Sequence, residues 1–148
     1  VYSEYGNNFF KTMLSLRNKN TISVVDDQIG CPTYAQDLAE GVKIIIKNIN
    51  DNKYFNNWGI YNFCGKYECS WFRFAEMIFF VANKCGIETP KELLQITSKS
   101  FDTKAKRPKY SVLSNKKIFD VFNIKSTDLE SGIRSALKKY QTMERDSN

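Results

Sequence analysis

Residues 21–33 read TISVVDDQIGCPT, and no other stretch limits the folding of this chain as strongly. The β-branched run at residues 21–25 predicts a short strand. Asp26, Asp27 and Gln28 stop it, and Gly30 and Pro32 turn the chain before a helical pattern starts at Tyr34 or Ala35. In that pattern Leu38, Val42, Ile45, Ile46 and Ile49 recur at helical spacing. A strand feeding a helix through a tight loop is the unit of an α/β layer structure.

The alternation extends in both directions. Upstream, Asn7 or Asn8 is placed to cap a helix reaching about Asn18, with Phe9, Phe10, Met13, Leu14 and Leu16 mostly on one face. Downstream, residues 50–57 are polar and turn-like, and residues 58–64 (WGIYNFC) predict a strand bounded by Gly59 and Gly65. Ser70 is a suitable N-cap for a third helix that turns Phe74, Ile78, Val81 and Ala82 inward and ends at Gly86. Residues 93–97 suggest another short strand, followed by a long basic loop over residues 98–110. Ser114 is the expected cap of a short helix through Phe119 and Phe122. Thr127 and Glu130 have the spacing of a capping box ahead of Leu129, Ile133, Ala136, Leu137 and Tyr140, and the residues after Thr142 form a polar tail.

Helices dominate this α/β pattern, and the strands are too few for a complete doubly wound sheet. No glycine-rich turn follows a strand, so the chain reads as the partner of a dinucleotide-binding domain. With 148 residues, 42% of them hydrophobic, it has the material for one domain core. Its first residue is Val, which opens directly into VYSEYGNNFF, and this suggests a piece of a longer protein. No apolar run is long enough to span a bilayer as a helix, and a cytoplasmic location is expected.

The chain has no histidine, which excludes histidine-based acid–base or nucleophilic machinery within it. Cys31, Cys64, Cys69 and Cys85 lack the close spacing of a zinc site, so no metal is expected, and Cys31, Cys64 and Cys85, beside apolar or glycine positions, read as reduced, buried thiols. The net charge of +6 is spread along the sequence, with one denser patch at Lys99, Lys104, Lys106, Arg107 and Lys109. A single short basic loop suits an anionic small molecule better than nucleic acid, which needs a continuous basic face.

Three segments carry candidate chemistry. In DQIGCPT, Gly30 permits a tight turn, Pro32 stiffens the exit, Gln28 offers a donor and an acceptor, and Thr33 brings a hydroxyl. Arg107, followed by Pro108, offers a guanidinium able to grip a diphosphate bidentately. Asn8 and Phe9 stand at a helix start, where free amides favour phosphate or sugar oxygens. Each also has a purely structural reading: an ordinary strand-to-helix turn, a solvated loop and a plain N-cap.

Their order is more telling. YGNNFFKTML, SVVDDQIGCPTYAQDLA, GIYNFCG, CSWFRFAEMIF and KRPKYSVLSNKKI resemble, in that sequence, the C-terminal half of the dTDP-4-dehydrorhamnose reductase family of extended short-chain dehydrogenase/reductases. The most specific parts are D-Q-x-G-x-P-T and R-P-x-x-S-x-L, and the resemblance runs to about Lys139.

This resemblance implies an NAD(P)-binding Rossmann-like fold of which most of the sheet is missing here. Residues 1–142 would be the sugar-nucleotide-binding part and residues 143–148 a polar tail, with the N-terminal cofactor domain outside the chain. The implied reaction is reduction of the 4-keto group of dTDP-4-dehydro-6-deoxy-L-mannose by NADPH or NADH, giving dTDP-L-rhamnose.

On that likeness Asn8, Phe9, Gln28, Gly30, Pro32, Thr33, Arg107 and Pro108 are the substrate-binding residues. The family's catalytic Tyr-x-x-x-Lys is not among them: none of the eight tyrosines has lysine four positions on. No catalytic residue is therefore assigned here, cofactor-binding residues stay unassigned, and the chain alone is expected to be inactive. A homodimer of the whole protein is a further expectation, as is an apolar face left exposed where the missing domain would pack. The competing reading is a non-catalytic regulatory subunit similar to that of methionine adenosyltransferase.

Overall fold

The computed structural model describes residues 1–101 and 106–146; Lys104 of the basic patch lies outside them. Helix α1 (Phe9–Ser15) is followed by strands β1 (Thr21–Val25) and β2 (Ile29–Gly30), then α2 (Ala35–Asp51). Next come β3 (Cys69–Ser70), α3 (Trp71–Lys84), β4 (Glu92–Ile96) and a 3-10 turn at Ser98–Ser100. Helices α4 (Lys116–Phe122) and α5 (Leu129–Asp146) complete the order.

Strand β1 pairs in parallel with β4, Thr21 opposite Glu92 through Val25 opposite Ile96. Its alternation puts Ile22 and Val24 on the buried face and Thr21 and Ser23 outside. Helix α3 packs on that sheet and against α1 and α5. Phe10 and Leu14 of α1, Phe74, Ile78 and Val81 of α3, and Ile133 and Leu137 of α5 are completely enclosed there. The N-terminal segment is tied in as well, since Tyr2 N–H donates to the Thr33 carbonyl at 2.8 Å and Ala35 N–H to the Tyr2 carbonyl at 2.9 Å.

Local sequence explains α3. Ser70 Oγ accepts from Arg73 N–H at 3.1 Å, and Gly86, at φ +75°, supplies the left-handed residue after the last turn. Elsewhere the caps differ from expectation. Asp128, not Thr127, caps α5 by accepting from Ser131 N–H at 2.9 Å. Thr127 instead donates through its N–H and hydroxyl to Asp37 at the start of α2, and Glu130 pairs with Arg134. Helix α1 stops at Ser15 rather than near Asn18, and α5 continues to Asp146 beyond the point where a tail was expected. At α4 the cap position is Asn115, whose side chain is engaged with Cys64, while the Ser114 hydroxyl accepts from Lys116 N–H at 3.3 Å.

Residues 58–64 form no strand. A strand exists only as part of a ladder, and no neighbouring strand is offered to this segment among the described residues. Trp58 and Ile60 are largely exposed. On α2, Leu38, Val42 and Ile46 are likewise exposed, and only Gly41 of that helix is fully buried. The helical period on α2 is right, but the layer it would cover is not formed by these residues. A small second core joins Ile118, Phe122 and Ile124 to Ile45, Phe55, Tyr61 and Phe63 beneath this surface.

Candidate functional site

The two most specific sequence segments meet on either side of Ile29. Its N–H donates to the Lys109 carbonyl at 2.8 Å, and its carbonyl accepts from Ser111 N–H at 2.9 Å and Ser111 Oγ at 3.1 Å. The other edge of β2 pairs antiparallel with β3, Gly30 opposite Cys69. The loop after β1 is thus held between the R-P-x-x-S segment and the start of α3.

Both aspartates of the loop are spent on this scaffold. Asp26 accepts a hydrogen bond from the Ser70 hydroxyl. Asp27 accepts from Ser98 N–H at 2.7 Å and Ser98 Oγ at 2.9 Å, and these two donors hold its carboxyl below the usual carboxylate range.

What remains faces a cavity of about 760 Å³, within the ~300–1,000 Å³ usual for small-molecule sites. Asn8, Phe9, Gln28, Gly30, Pro32, Thr33 and Arg107 all line it; Pro108 does not. Seven of the eight residues inferred from sequence therefore share one wall system, although they come from three separate segments.

They do not contribute equally. Asn8 Oδ1 accepts from Lys11 N–H at 3.2 Å, while Nδ2 donates to the carbonyls of Ser3 at 2.9 Å and Tyr5 at 3.0 Å. Both amide donors are used, leaving only a lone pair on Oδ1 for a ligand. We expect Asn8→Ala to cost about 1 kcal/mol of stability through loss of the cap. Urea unfolding measures it, and an unchanged midpoint would remove Asn8 from this structural role.

Thr33 is also occupied: its hydroxyl accepts from Gly65 N–H at 3.0 Å and donates to the Cys31 carbonyl at 3.0 Å. Gly30 is not in a left-handed conformation. It is small because a Cβ there would lie 2.9 Å from Ser111 Oγ, where the loop meets its neighbour. Gln28 and Arg107, by contrast, have no hydrogen-bond or ion-pair partner among the described residues.

Trp71 was not singled out by sequence reasoning. It lines the cavity with its ring centroid 4.8 Å from that of Phe9, and Phe9 in turn lies 5.4 Å from Phe74. Its place directly after the Ser70 cap was the available signal, because the first residue of a capped helix is fixed in direction by that cap. Cys64 and Leu113 also line the cavity, joined by a Cys64 Sγ bond to the Leu113 carbonyl at 3.2 Å.

Residues 1–142 match the family described as the RmlD substrate binding domain. The chain belongs to that family. A dTDP-4-dehydrorhamnose reductase of Aggregatibacter actinomycetemcomitans is 39% identical over 138 residues, 91% of this chain and 46% of that protein. Among solved structures, a dTDP-4-dehydrorhamnose reductase ortholog from Clostridium acetobutylicum superimposes with a TM-score of 0.77 at 33% identity, over 92% of this chain and 45% of that one. The Bacillus anthracis dTDP-4-dehydrorhamnose reductase, crystallised with NADP, gives a TM-score of 0.71 at 34% identity, again covering 93% and 45%. The chain spans about half the length of the relatives it matches, and its α/β framework is the C-terminal portion of an extended short-chain reductase with only a small parallel sheet present. No helix among the described residues is long and apolar enough to cross a membrane.

Proposed function

We propose that this RmlD substrate-binding domain holds a dTDP-sugar for reduction at its 4-keto carbon within a larger NADPH-dependent dTDP-4-dehydrorhamnose reductase. The observation that carries the reading is the pairing of the two motif segments across Ile29, which puts Gln28 and Arg107, neither of them partnered among the described residues, on the same cavity. A guanidinium on its wall suits a diphosphate, and the Gln28 amide has both a donor and an acceptor for a sugar or base.

The chain supplies no dinucleotide cradle, as no glycine-rich turn follows any of its strands. The cofactor site and the catalytic tyrosine and lysine accordingly belong to the other half of the protein. When bound, the nicotinamide supplies hydride to the carbonyl carbon, and a tyrosine outside this chain supplies the proton. Residues of this chain bind and orient: Arg107 fixes the charged end of the substrate, while Phe9 and Trp71 exclude water from the apolar side of the cavity. The exposed α2 residues Leu38, Val42 and Ile46, with the unpaired segment at 58–64, form the surface that the other half covers.

The test is a dTDP titration of this chain together with an NADPH-oxidation assay of the whole protein on the dTDP-4-keto sugar. Binding and turnover support the reading. Binding without turnover favours the regulatory alternative, and absence of both overturns it. In the whole protein, Arg107→Ala should weaken dTDP-sugar binding by about 1.5–3 kcal/mol, the scale of a charged hydrogen bond. Calorimetry checks this, and unchanged affinity would take Arg107 out of the site.

A further inference from the structure

Two cysteines line this cavity from adjoining segments, and the sugar-nucleotide reading makes no use of them. Cys31 lies in the loop after β1, half-buried, and Cys64 is buried at the end of the extended segment 58–64; both line the cavity. Cys64 Sγ donates to the Leu113 carbonyl at 3.2 Å, and Cys64 is close enough to help push the Cys31 thiol up.

The backbones beside them are locked in register. Gly65 N–H donates to Thr33 Oγ1 at 3.0 Å, and the same hydroxyl donates to the Cys31 carbonyl at 3.0 Å. Gly65 is so close to the preceding residue of that loop that a Cβ on it would lie 1.9 Å from the Pro32 carbonyl oxygen. The two segments are therefore fixed side by side before any bond joins them.

We propose that Cys31 and Cys64 are a dithiol modification site that exchanges with low-molecular-weight disulfides and closes to an intramolecular disulfide. The Cys31 thiolate attacks one sulfur of the small disulfide, forming a mixed disulfide and releasing one small thiolate. The Cys64 thiolate then attacks the Cys31 sulfur and releases the second. Two protein thiols are oxidised to one disulfide, and one small disulfide is reduced to two thiols. The new bond ties the DQIGCPT loop to segment 58–64 across the cavity wall.

The environment sets the pace of this exchange. Burial first, then the neighbouring Cys64 and the charge of Glu68, push the Cys31 thiol up to about 12; Tyr110 lies nearby and interacts with it. The thiolate is the nucleophile, so attack by the protonated Cys31 thiol is slow near neutrality and speeds up by about tenfold per pH unit over the mildly alkaline range. Cys69 is buried with no such partner thiol, its own thiol pushed up to about 11 by burial, and Cys85 is exposed. They are the internal comparisons.

The experiment treats the chain carrying Cys85→Ser, which removes the exposed thiol, with oxidised glutathione across that pH range and maps the products by non-reducing peptide mass spectrometry. The expected product is a monomer with Cys31 joined to Cys64 and no retained glutathione, formed faster at higher pH. Adding Cys31→Ser should leave Cys64 free or capped by glutathione. On the unsubstituted chain a trivalent organoarsenical, which condenses with two thiols and releases water, should bridge the same two residues without any redox change. Glutathione stalled on Cys31, reaction at Cys69 in preference to the pair, a rate indifferent to pH, or an arsenical that bridges other residues or none would each overturn the proposal.

Discussion

Phe74→Ala should lower the unfolding free energy of this domain by about 3–5 kcal/mol, the cost of removing a phenyl ring from a filled core. Phe74 is 2% exposed. Its centroid stands 5.1 Å from that of Tyr2 and 5.4 Å from that of Phe9, so one ring joins α3 to the N-terminal segment and to α1. The large expected value follows from these connections: three separate chain segments would have to close together to fill the gap, and each is held by its own hydrogen bonds.

The substitution should also loosen Phe9, which forms part of the cavity wall, so ligand affinity should fall along with stability. Urea unfolding with an unchanged denaturant slope measures the first effect. Phe80→Ala on the same helix is the comparison, since Phe80 is about half exposed and its removal should cost within about 1 kcal/mol. A Phe74 loss no larger than that of Phe80 would show that the core collapses freely around the site.

Where the sequence was legible, short-range physics decided the outcome. Thr21–Val25 is a strand because a β-branched run has little else to do, and α3 starts at a serine cap and ends at a glycine that takes positive φ. Phe74, Ile78, Val81 and Ala82 are buried as their spacing requires. The candidate site was legible through the order of its motifs, which brought seven of eight residues to one cavity, but not through what each side chain does there. Asn8 and Thr33 looked like ligand contacts and are mostly engaged in holding the loop, as only the positions of Ser3, Tyr5 and Gly65 could reveal.

The misreadings share a cause in partners distant in sequence. Residues 58–64 carry strand chemistry without a neighbouring strand to pair with among the described residues. The T-x-x-E capping box gave way because Asp37, 90 positions upstream of Thr127, offers that threonine two bonds at once. Cys85 read as buried beside apolar neighbours and is exposed, because it follows α3 just where the helix leaves the core.

Gly65 carries this argument furthest, and its substitution is the second large expected effect. Read along the sequence it merely bounds a predicted strand, and its backbone is not in a left-handed conformation, so alanine could adopt the same angles. The constraint comes from across the chain. A Cβ at this position would lie 1.9 Å from the Pro32 carbonyl oxygen and 2.9 Å from its carbon, a collision with backbone rather than with a side chain that could rotate away. Relief requires separating the loop from segment 58–64, which stretches the Gly65 N–H bond to Thr33.

Gly65→Ala should therefore cost about 3 kcal/mol, the upper end of the overpacking range, and should also open the cavity wall. Gly6→Ala makes the instructive contrast. Gly6 has φ +62° but open space around it, so alanine there pays only the left-handed backbone penalty, about 1–2 kcal/mol. If Gly65→Ala proves milder than Gly6→Ala, the loop and the extended segment are not held as closely as these contacts require. If it is the costlier of the two, close approach between distant segments, rather than local backbone geometry, is what fixes this glycine and shapes the cavity beside it.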